Sequence, residues 1–405
     1  MGRPMTQPMT RPMTRHALIV GAGIAGCCAA IALARAGWSV RLVEKQPAWQ
    51  FQSSGIFVYS NGLAQFHALG VMDELVACGF PIADGRNVYL HADGSALLET
   101  FYPAQFEGAA HVPILGIRRA DMHRVLSGHL ARLNVEVTLG CTVDRIESTA
   151  SGVQAELSNQ RVVHADLLIG ADGIRSRVRQ LLWPEIQPRY SGFGVWRSVH
   201  RRPSDLTDKI MMMAPGLRLG IMPISDNQLY LFGTVPEAAD AWFDRAEWPA
   251  LMQSRFVVFR GPAAQFLDDL NPRSEVLYTA VEEVVMPGPW HRERVLLIGD
   301  AAHASTPFMG QGGAMAVQDA VVLGRLLASG LSIDEALEQF SRARPPICRF
   351  VQEVSRQVGV SGAQSHPEDH ARTLEAMRAT AQQRVDDFYR RLEQLGSLET
   401  TEDIS

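Results

Sequence analysis

The chain has 405 residues and a formal net charge of −5 at pH 7, with 46% hydrophobic and 20% charged residues. This length is sufficient for two domains, each with its own hydrophobic core, and the negative charge argues against nucleic acid or an anionic membrane as the main partner. No stretch approaches the roughly 20 apolar residues that a membrane-spanning helix needs, and the N-terminus lacks the apolar core of a secretory signal.

The cysteines are Cys27, Cys28, Cys78, Cys141 and Cys348. Their number is odd, and they form neither a CxxC pair nor a spacing that is typical of metal ligands. Free thiols of this kind are typical of a reducing compartment. The sequence therefore predicts a cytoplasmic protein without a metal site.

Before the first regular pattern, the N-terminus repeats the triplet Pro-Met-Thr at Pro4-Met5-Thr6, Pro8-Met9-Thr10 and Pro12-Met13-Thr14. The segment is short and polar, and prolines interrupt it. It is predicted to be a disordered tail that covers residues 1–15.

The first regular pattern is a strand, a glycine-rich turn, a helix and a second strand. Ala17–Val20 is an apolar run of strand length, residues 21–26 read GAGIAG, and the helical pattern that follows stops at Gly37. The second strand, Ser39–Val43, ends at Glu44. A GxGxxG sequence in this setting, with an acidic residue about 20 positions further on, is typical of dinucleotide-binding units.

Each glycine of this turn has a predicted task. Gly21 makes the tight turn, Gly23 lets the backbone approach a pyrophosphate, and Gly26 permits close contact between helix and strand. Glu44 can accept hydrogen bonds from both hydroxyls of an adenosine ribose. The motif alone does not separate FAD from NAD. The predicted nucleotide-binding residues are Gly21, Gly23, Ala25, Gly26, Glu44 and Lys45, of which Lys45 also fits a solvated surface charge.

The next part of the chain carries shorter signals. Ser53–Gly62 is rich in small residues and predicts a loop ahead of a helix near Leu63–Leu69. Residues 87–113 contain alternating patches that Gly and Pro interrupt, which predicts a β excursion. Gly116–Leu126 predicts the start of a helix. Strands are then predicted at Val135–Gly140 and Thr142–Glu147.

Asp166–Arg179, with the sequence DLLIGADGIRSRVR, combines a buried strand with a polar turn. The strand is predicted to end at Gly170-Ala171, and Asp172-Gly173 turns the chain toward the next helix. Asp172 is therefore either a plain turn residue or part of a binding site.

Between Tyr190 and Tyr278 the pattern changes to alternating segments that Pro, Gly, Asp and Asn turns separate. This predicts an antiparallel sheet with one covered face. Tyr230 and Phe232 share one face of a strand, and Arg218 lies on the strand before it. Arg218 and Tyr230 are either substrate-positioning residues or a surface arginine and a half-buried tyrosine. The predicted strands are Gly192–Val199, Lys209–Met213, Arg218–Met222 and Gln228–Val235.

Arg294–Gly313, with the sequence RVLLIGDAAHASTPFMGQGG, is the second glycine-rich stretch. Val295–Ile298 is an apolar run, so Asp300 lies just beyond the carboxyl end of a buried strand, where open α/β sheets bind ligands. A carboxylate there can accept hydrogen bonds from ribose-like hydroxyls, or it can cap a turn. The glycines at residues 310–313 let bare backbone and the positive end of the next helix approach a ligand. His303 is interpreted as a packed histidine.

The C-terminal part of the chain is predicted to be helical. Gly312–Ser329 is one apolar helix, and Asp334–Arg349 is a second, which Pro345-Pro346 should interrupt. Leu374, Ala381, Phe388 and Leu395 recur every seven residues on a charged helix. This stripe is predicted to dock on the domain that contains the two glycine-rich turns, and dimerisation is the alternative.

Three stretches together resemble the motifs of single-component FAD-dependent aromatic hydroxylases, the p-hydroxybenzoate/salicylate hydroxylase-like flavoprotein monooxygenases. They are GAGIAG at residues 21–26, the DG turn at Asp172-Gly173, and GDAAH at residues 299–303 followed by Pro307 and GQG at residues 310–312. The resemblance implies an α/β fold with a Rossmann-like FAD-binding domain, a discontinuous antiparallel β-sheet substrate domain and C-terminal helices. The implied boundaries are a tail at 1–15, the FAD-binding domain at 16–85, 114–186 and 280–365, the substrate domain at 86–113 and 187–279, and a C-terminal helix at 366–405.

The resemblance also implies roles for individual residues. Asp300 would bind the ribityl chain of FAD, and the backbone of residues 310–313 would face the N1 and O2 edge of the flavin. Arg218 and Tyr230 match pocket residues in members that resemble FAD-dependent urate hydroxylase, and would position the substrate. The further FAD-binding residues that it implies are Phe57, Val58, Arg119, Val143, Asp172, Pro307, Gly310, Gln311, Gly312 and Gly313.

The sequence shows no Ser-His-Asp set and no metal cluster, so the reaction is expected to come from the cofactor. The resemblance implies a monooxygenase that uses FAD, NAD(P)H and O2 to hydroxylate a small electron-rich aromatic or heteroaromatic ring through a flavin C4a-hydroperoxide. One alternative is a hydroxylase of a larger polyketide, quinolone or antibiotic. Another is a flavin-binding or nucleotide-binding redox sensor without turnover. A monomer or a homodimer is expected.

Overall fold

The computed structural model describes residues 14–49 and 54–401. The predicted disorder of the N-terminal repeat therefore falls, up to Met13, outside the described residues. The strands are β1 (His16–Val20), β2 (Ser39–Glu44), β3 (Gly55–Tyr59), β4 (Phe80–Ile82), β5 (Arg86–His91), β6 (Ala96–Phe101), β7 (Gln105–Phe106), β8 (Ala109–Ala110), β9 (Ile114–Arg118), β10 (Glu136–Leu139), β11 (Val143–Thr149), β12 (Gly152–Leu157), β13 (Val162–Ala165), β14 (Leu167–Gly170), β15 (Arg189–Arg201), β16 (Lys209–Ala214), β17 (Leu217–Pro223), β18 (Gln228–Pro236), β19 (Val276–Glu283), β20 (His291–Arg292) and β21 (Val295–Leu297).

The helices are α1 (Ile24–Arg35), α2 (Ser60–Ala68), α3 (Met72–Cys78), α4 (Arg119–Arg132), α5 (Arg177–Leu182), α6 (Trp248–Arg255), α7 (Ala264–Asp268), α8 (Asp300–His303), α9 (Gly312–Ala328), α10 (Ile333–Gly362) and α11 (Pro367–Thr401). Each helix within the described residues is too short or too polar to cross a lipid bilayer.

The first large sheet has the strand order β10-β2-β1-β14-β21-β20, and its first five strands run parallel. Its central strands are apolar and buried on both faces, as expected for a parallel sheet that helices cover. Only β14 separates β1 from β21, so the two glycine-rich turns meet at one edge of the sheet. A Cβ atom added to Gly299 would lie 2.8 Å from the Cβ of Ala25.

The second large sheet has the order β19-β15-β18-β17-β16-β5-β6. The predicted antiparallel arrangement holds for most neighbours, but β5 and β16 run parallel. β5 belongs to the β excursion before α4 and is far from β16 in sequence. Because no hairpin turn joins the two strands, they are not constrained to run antiparallel. Helices α6 and α7 cover one face of the sheet, where Met252, Phe256 and Phe266 pack with Trp196 and Leu219.

Within the loop predicted at residues 53–62, the described residues 55–62 form regular secondary structure instead. Residues 55–59 form β3, which pairs with β9, and α2 begins directly after it at Ser60. The pairing partner lies about 60 residues further along the chain, and a local pattern carries no information about such a partner.

Helix α10 also differs from its prediction, because it continues through Pro345 and Pro346 to Gly362. A capping box between Ser332 and Glu335 fixes its first turn. Its buried face then packs along the core of the protein. This tertiary packing offsets the backbone hydrogen bonds that the prolines remove.

Helix α11 packs on its own chain. Phe388 stacks on Phe350 of α10 with ring centroids 5.4 Å apart. The side-chain amide of Gln382 accepts from the backbone N–H of Phe101 at 2.7 Å and donates to its carbonyl at 2.9 Å. The heptad stripe therefore lies across α10 and the β6 edge of the second sheet, and Leu374, Phe388 and Leu392 are buried there.

Candidate active site

A cavity of about 1660 Å³ lies between the ligand-binding edge of the first sheet and the inner face of the second. The turns after β1 and β21 line one part of it, together with Glu44 and Arg119. Residues of β15 to β19 line another part, and residues of α10 and α11 line a third. Since single small-molecule pockets measure about 300–1,000 Å³, this cavity has room for a large cofactor and a substrate.

The first glycine-rich turn shapes one end of the cavity. Gly21 has φ +101°, and a Cβ on Gly26 would overlap the carbonyl oxygen of Gly21. A Cβ on Gly23 would meet nothing within 4 Å, because this residue faces the cavity at the start of α1. The N-terminus of a helix of this length is suited to bind an anion.

Glu44 is fixed at the same end. Its carboxylate accepts hydrogen bonds from the backbone N–H groups of Ala22 at 2.8 Å and Gln46 at 2.9 Å. Both oxygens retain a free lone pair direction, and the side chain lines the cavity. Glu44 is thus held where it can accept hydrogen bonds from ligand hydroxyls.

The second glycine-rich turn lies beside the first. Asp300 lines the cavity as the first residue of the one-turn helix α8, so the helical pattern resumes earlier than predicted. Pro307, Gly310, Gly312 and Gly313 also line the cavity, and the last two begin the 17-residue helix α9. This helix start adds a second positive dipole end to the cavity.

Gln311 has a different position from its neighbours. It is buried with 2% of its surface exposed, and its carbonyl oxygen accepts a hydrogen bond from the side-chain amide of Asn61 at 2.7 Å. The side chain therefore ties the turn to α2, while the backbone of the glycines beside it faces the cavity.

Arg119 brings an unpartnered donor to the cavity wall. Its backbone N–H donates to the carbonyl of Ser54 at 3.0 Å, but its buried Nε has no hydrogen-bond partner within the described residues. Burial and the nearby Arg197 lower the pKa of Arg119, although Tyr230 and Asp300 oppose the shift. A buried N–H donor without a partner is costly, and an acceptor from a bound ligand would remove this cost.

Arg218 and Tyr230 both line the cavity, but the register places them apart. Arg218 pairs with Thr234, whereas Tyr230 pairs with Met222, four residues further along the ladder. The Tyr230 ring lies over Gly55, where a Cβ would come within 2.6 Å of it, and its hydroxyl accepts from Nε of Arg197 at 3.1 Å.

Arg218 donates instead to the backbone carbonyl of Val358 near the end of α10. Burial lowers its pKa to about 10, with a small opposing effect of Tyr89. Arg218 thus holds α10 against the sheet at the cavity wall, and its buried Nε lacks a hydrogen-bond partner among the described residues.

Several predicted site residues lie outside the cavity lining. Lys45 is exposed, whereas Val58 and Val143 are core residues. Asp172 caps α5, because its carboxylate accepts from the Ser176 hydroxyl and from two backbone N–H groups of that helix start. Phe57 does line the cavity, and its ring lies against Gly310.

A buried ionic cluster lies behind the second turn. Asp319 accepts from Gly299 N–H at 2.8 Å, from His303 at 2.7 Å and from Nε of Arg344 at 2.8 Å. His303 also stacks on Trp290, with ring centroids 5.1 Å apart. The packed histidine was predicted, but its partner lies 16 residues away. Cys348 lies beside His303 and Asp319 in this cluster, and Arg344 shares the carboxylate of Asp319.

Sequence reasoning missed the residues that α11 and β16 bring to the cavity. These include Lys209 and Met211 on β16, and Ala381 and Phe388 on α11. The heptad stripe indicated that α11 packs against something, but not that it closes a cavity. For Lys209, the scarcity of lysine in the chain was an available signal.

The comparisons with known proteins agree with this architecture. The FAD binding domain family matches residues 14–355. The chain is 33% identical to the aurachin C monooxygenase/isomerase of Stigmatella aurantiaca over 333 residues, which cover 81% of this chain and 84% of that protein. It is 33% identical to the 2-heptyl-3-hydroxy-4(1H)-quinolone synthase of Pseudomonas aeruginosa over 355 residues, 86% of this chain and 90% of that protein.

Among solved structures, a variant of Klebsiella pneumoniae HpxO complexed with FAD superposes with a TM-score of 0.84 at 25% identity, covering 95% of this chain and 100% of that one. The predicted fold class and family are confirmed, and the relatives are enzymes rather than sensors. The chain therefore belongs to the FAD-binding domain family, in its branch of FAD-dependent aromatic hydroxylases, and is an FAD-dependent monooxygenase.

Proposed function

We propose that this enzyme uses NAD(P)H and O2 to hydroxylate a heteroaromatic ring that carries an apolar chain, as in a 2-alkyl-4-quinolone. The observation that carries the proposal is an apolar wall next to the inner face of the second sheet. Its residues are Met211 and Met213 on β16, Val354 on α10, and Met377, Ala381 and Phe388 on α11. A small polar ring would leave this wall without a partner, whereas an alkyl chain would bury it. The names of the aurachin and quinolone relatives support this substrate class.

The residues on the cavity wall fit FAD. The open space at Gly23 and the start of α1 would accept the pyrophosphate, and Glu44 would accept from the adenosine ribose. Asp300 would bind the ribityl hydroxyls, and the unpartnered Nε of Arg119 would donate to the cofactor. When bound, FAD supplies the redox chemistry that activates O2 for insertion into an aromatic ring.

The protein orients the ring and excludes water. Tyr230 lies over Gly55 and holds the hydrogen bond from Arg197, so it forms a rigid wall beside the proposed flavin position. The start of α9 at Gly312 would stabilise negative charge on the cofactor. Helices α10 and α11 close the opposite side. Arg218 would position the substrate through its unpartnered Nε.

The rest of the proposal concerns reductant and location. The sequence has a single GxGxxG, at residues 21–26, so we propose that NAD(P)H binds transiently rather than in a domain of its own. The five cysteines are free thiols, which supports a reducing, cytoplasmic location.

A substrate series tests the function. The purified enzyme, loaded with FAD, would be incubated with methyl-, heptyl- and longer 2-alkyl-4-quinolones, and with hydroxybenzoates and urate. We expect the heptyl compound to stimulate NAD(P)H oxidation most, and to gain one oxygen atom by mass spectrometry. Each buried methylene contributes about 0.8 kcal/mol, so KM should fall several-fold per added carbon until the wall is filled. Stronger stimulation by hydroxybenzoates or urate would contradict the proposal.

Replacing Glu44 by alanine should weaken FAD binding. The variant loses the carboxylate proposed to accept from the ribose, and charge-assisted hydrogen bonds contribute about 1.5–3 kcal/mol. We therefore expect the Kd for FAD to rise by about 10- to 100-fold in fluorescence titrations of the apoprotein. Glu156→Ala, at an exposed position of β12, is the control and should bind FAD as the native protein does. Unchanged affinity in Glu44→Ala would remove this residue from the site.

Replacing Ala381 by phenylalanine should shorten the apolar part of the cavity. We expect KM for the heptylquinolone to rise at least about tenfold, since overpacking costs about 1–3 kcal/mol, while the methylquinolone is little affected. Ala379→Phe, at an exposed position of the same helix, controls for general effects on α11. Equal losses with both chain lengths would show that Ala381 does not contact the alkyl chain.

A further inference from the structure

Lysine is rare in this chain. Lys45 and Lys209 are the only lysines among 38 Lys and Arg residues. Lys45 is exposed, whereas Lys209, at the start of β16, has 3% of its surface exposed and lines the cavity. A lysine differs from an arginine in one chemical respect that matters here, because only the lysine amine can lose its proton in a protein.

Aromatic rings surround the amine of Lys209. Its Nζ donates to the hydroxyl of Tyr59 at 3.0 Å. The ring centroids of Phe57, Tyr59 and Tyr102 lie 5.1, 5.3 and 5.0 Å from it. The neighbouring carboxylate of Asp208 is paired with another residue, Arg86, at 3.0 Å. Within the described residues, no carboxylate forms an ion pair with Lys209.

The groups that face Lys209 from the packed elements leave it without a countercharge. Phe57 and Tyr59 on β3 and Tyr102 after β6 surround the amine, and Tyr89 on β5 and Tyr389 on α11 line the same cavity. The charged or titratable residues that share the cavity are Glu44, Arg119, His123, Arg175, Arg197, Arg218, Glu282, Asp300, Arg384, Asp387 and Arg391. Burial raises the pKa of each of these tyrosines, so they are neutral phenols at pH 7. Burial lowers the pKa of Lys209 to about 7. Burial therefore favours the neutral amine, which can accept a proton.

The position of Lys209 is close to the proposed site of oxygen insertion. The ring of Phe57 touches Lys209 on one side and Gly310 on the other. The amine is thus one aromatic ring away from the turn that is proposed to face the flavin. Lys209 and Gly310 both line the cavity that would hold the substrate.

We propose that Lys209 is the base that takes the proton from the ring hydroxyl or ring N–H of the substrate. The O–H or N–H bond of the substrate breaks, its electron pair stays on the ring, and a new N–H bond forms at Nζ. The resulting ammonium keeps its hydrogen bond to Tyr59 and is stabilised by the aromatic faces around it. The anionic ring is more electron-rich and attacks electrophilic oxygen more readily, and the proton returns to the product before release. This inference rests on the proposed function, because it requires an ionisable ring.

A titration that needs no substrate tests the state of Lys209. The FAD-loaded enzyme would be produced with lysine labelled with carbon-13 at the ε position, which gives two NMR signals, and Lys45→Arg would identify the Lys209 signal by elimination. We expect one signal to titrate near pH 7 and the other near the ordinary value of about 10.4. Titration of both signals near the ordinary value would overturn the proposal. Because no substrate is present, this result is independent of whether quinolones are turned over.

Turnover of 2-heptyl-4-quinolone tests the role. In the native enzyme, kcat/KM should rise with pH through about pH 7, as Lys209 becomes neutral. Lys209→Met should lower kcat/KM by about 10²- to 10⁴-fold and remove this rise. Lys209→Arg should not restore it, because arginine keeps its proton. Native-like activity of Lys209→Arg, or an unchanged pH profile of Lys209→Met, would overturn the proposal.

Tyr59→Phe provides a test that keeps the lysine. It removes the hydrogen-bond acceptor of the ammonium, so the rise in kcat/KM should move to lower pH while the enzyme remains active and FAD-loaded. If Tyr59 had only a structural role, Tyr59→Phe would lower activity without shifting the pH dependence of kcat/KM. An unshifted pH dependence would therefore count against Lys209 as the base. If the native enzyme shows no stimulated NAD(P)H oxidation at all, the substrate proposal fails, and the NMR titration still decides the state of Lys209.

Discussion

Replacing Gly26 by alanine should weaken FAD binding by about a hundredfold, although the change adds a single methyl group. The new Cβ would overlap the carbonyl oxygen of Gly21, which is backbone and cannot rotate away as a side chain could. The turn and the start of α1 would have to separate, and both form the proposed pyrophosphate site. Overpacking costs about 1–3 kcal/mol when side chains can adjust, so we expect at least the upper value here. That corresponds to about a hundredfold weaker FAD binding.

A matched control lies in another helix. A Cβ on Gly128 of α4 would meet nothing within 4 Å, so Gly128→Ala should stabilise the protein by roughly 0.5–1 kcal/mol. The measurements are the absorbance ratio of flavin to protein after purification, the Kd of the apoprotein for FAD, and the Tm. Gly26→Ala protein that retains FAD as the native enzyme does would show that the contact between α1 and the turn is looser than described.

The βαβ unit at the N-terminus shows why part of this fold could be predicted. The observed β1, α1 and β2 end within about one residue of their predicted bounds. Hydrophobic periodicity and the glycines of the turn are local signals, and in this segment they agree with the tertiary structure. The contact between Ala25 and Gly299 could also be predicted from the sequence, because parallel strands bring their carboxyl ends to one edge of the sheet.

Other features depend on partners that are distant in sequence. The strand character of β3 comes from β9, and the continuity of α10 through Pro345 and Pro346 comes from its buried face. The resemblance implied that Arg218 positions the substrate, and the sequence did not show that Val358 would accept one of its hydrogen bonds. Strand alternation identifies the face of a side chain but not the groups that it meets there.

The environment of Lys209 illustrates the same limit. On the sequence it is the first residue of a predicted strand, next to Asp208, which is typical of a solvated surface position. The rings around its amine are those of Phe57 and Tyr59 on β3 and of Tyr102 after β6, which lie between about 100 and 150 residues away along the chain. A charge pattern cannot report such an enclosure. The rarity of lysine among many arginines was the only local indication that an amine was specifically required.

Replacing Asp319 by asparagine should destabilise the whole FAD-binding part of the protein. Asp319 is completely buried, and its carboxylate is paired with Arg344 and His303. Asparagine keeps the shape but removes the negative charge that pairs with Arg344 and His303. Breaking a buried ion pair by removal of one partner costs about 3–5 kcal/mol. The hydrogen bond to Gly299 N–H ties this cluster to Asp300, so FAD affinity should fall together with the Tm.

The pH dependence of stability follows from the same cluster. Burial opposes the charged imidazole of His303, but Cys348 and Asp319 outweigh burial and hold the pKa of His303 well above 6.5. Its stabilising contribution is therefore complete below about pH 6.5, the value in the unfolded chain, and is lost as the pH rises through the folded value. For Asp319, burial raises the pKa, but His303 and Arg344 outweigh it and lower the pKa below 3.8. The stabilising contribution of Asp319 is present above about pH 3.9, its pKa in the unfolded chain. It is lost as the pH falls through the pKa of Asp319 in the folded protein.

Urea unfolding of the native enzyme and of Asp319→Asn, measured between acidic and alkaline pH, would check both statements. The free energy of unfolding of the native enzyme should exceed that of Asp319→Asn most at intermediate pH. This difference should shrink at low pH, where Asp319 becomes protonated, and at high pH, where His303 loses its proton. Asp369→Asn is the control, because its partner Arg372 is mostly exposed and surface pairs contribute about 0–1 kcal/mol. If Asp319→Asn unfolds like this control at neutral pH, the buried cluster does not hold the second turn, and the rigidity of Asp300 must have another source.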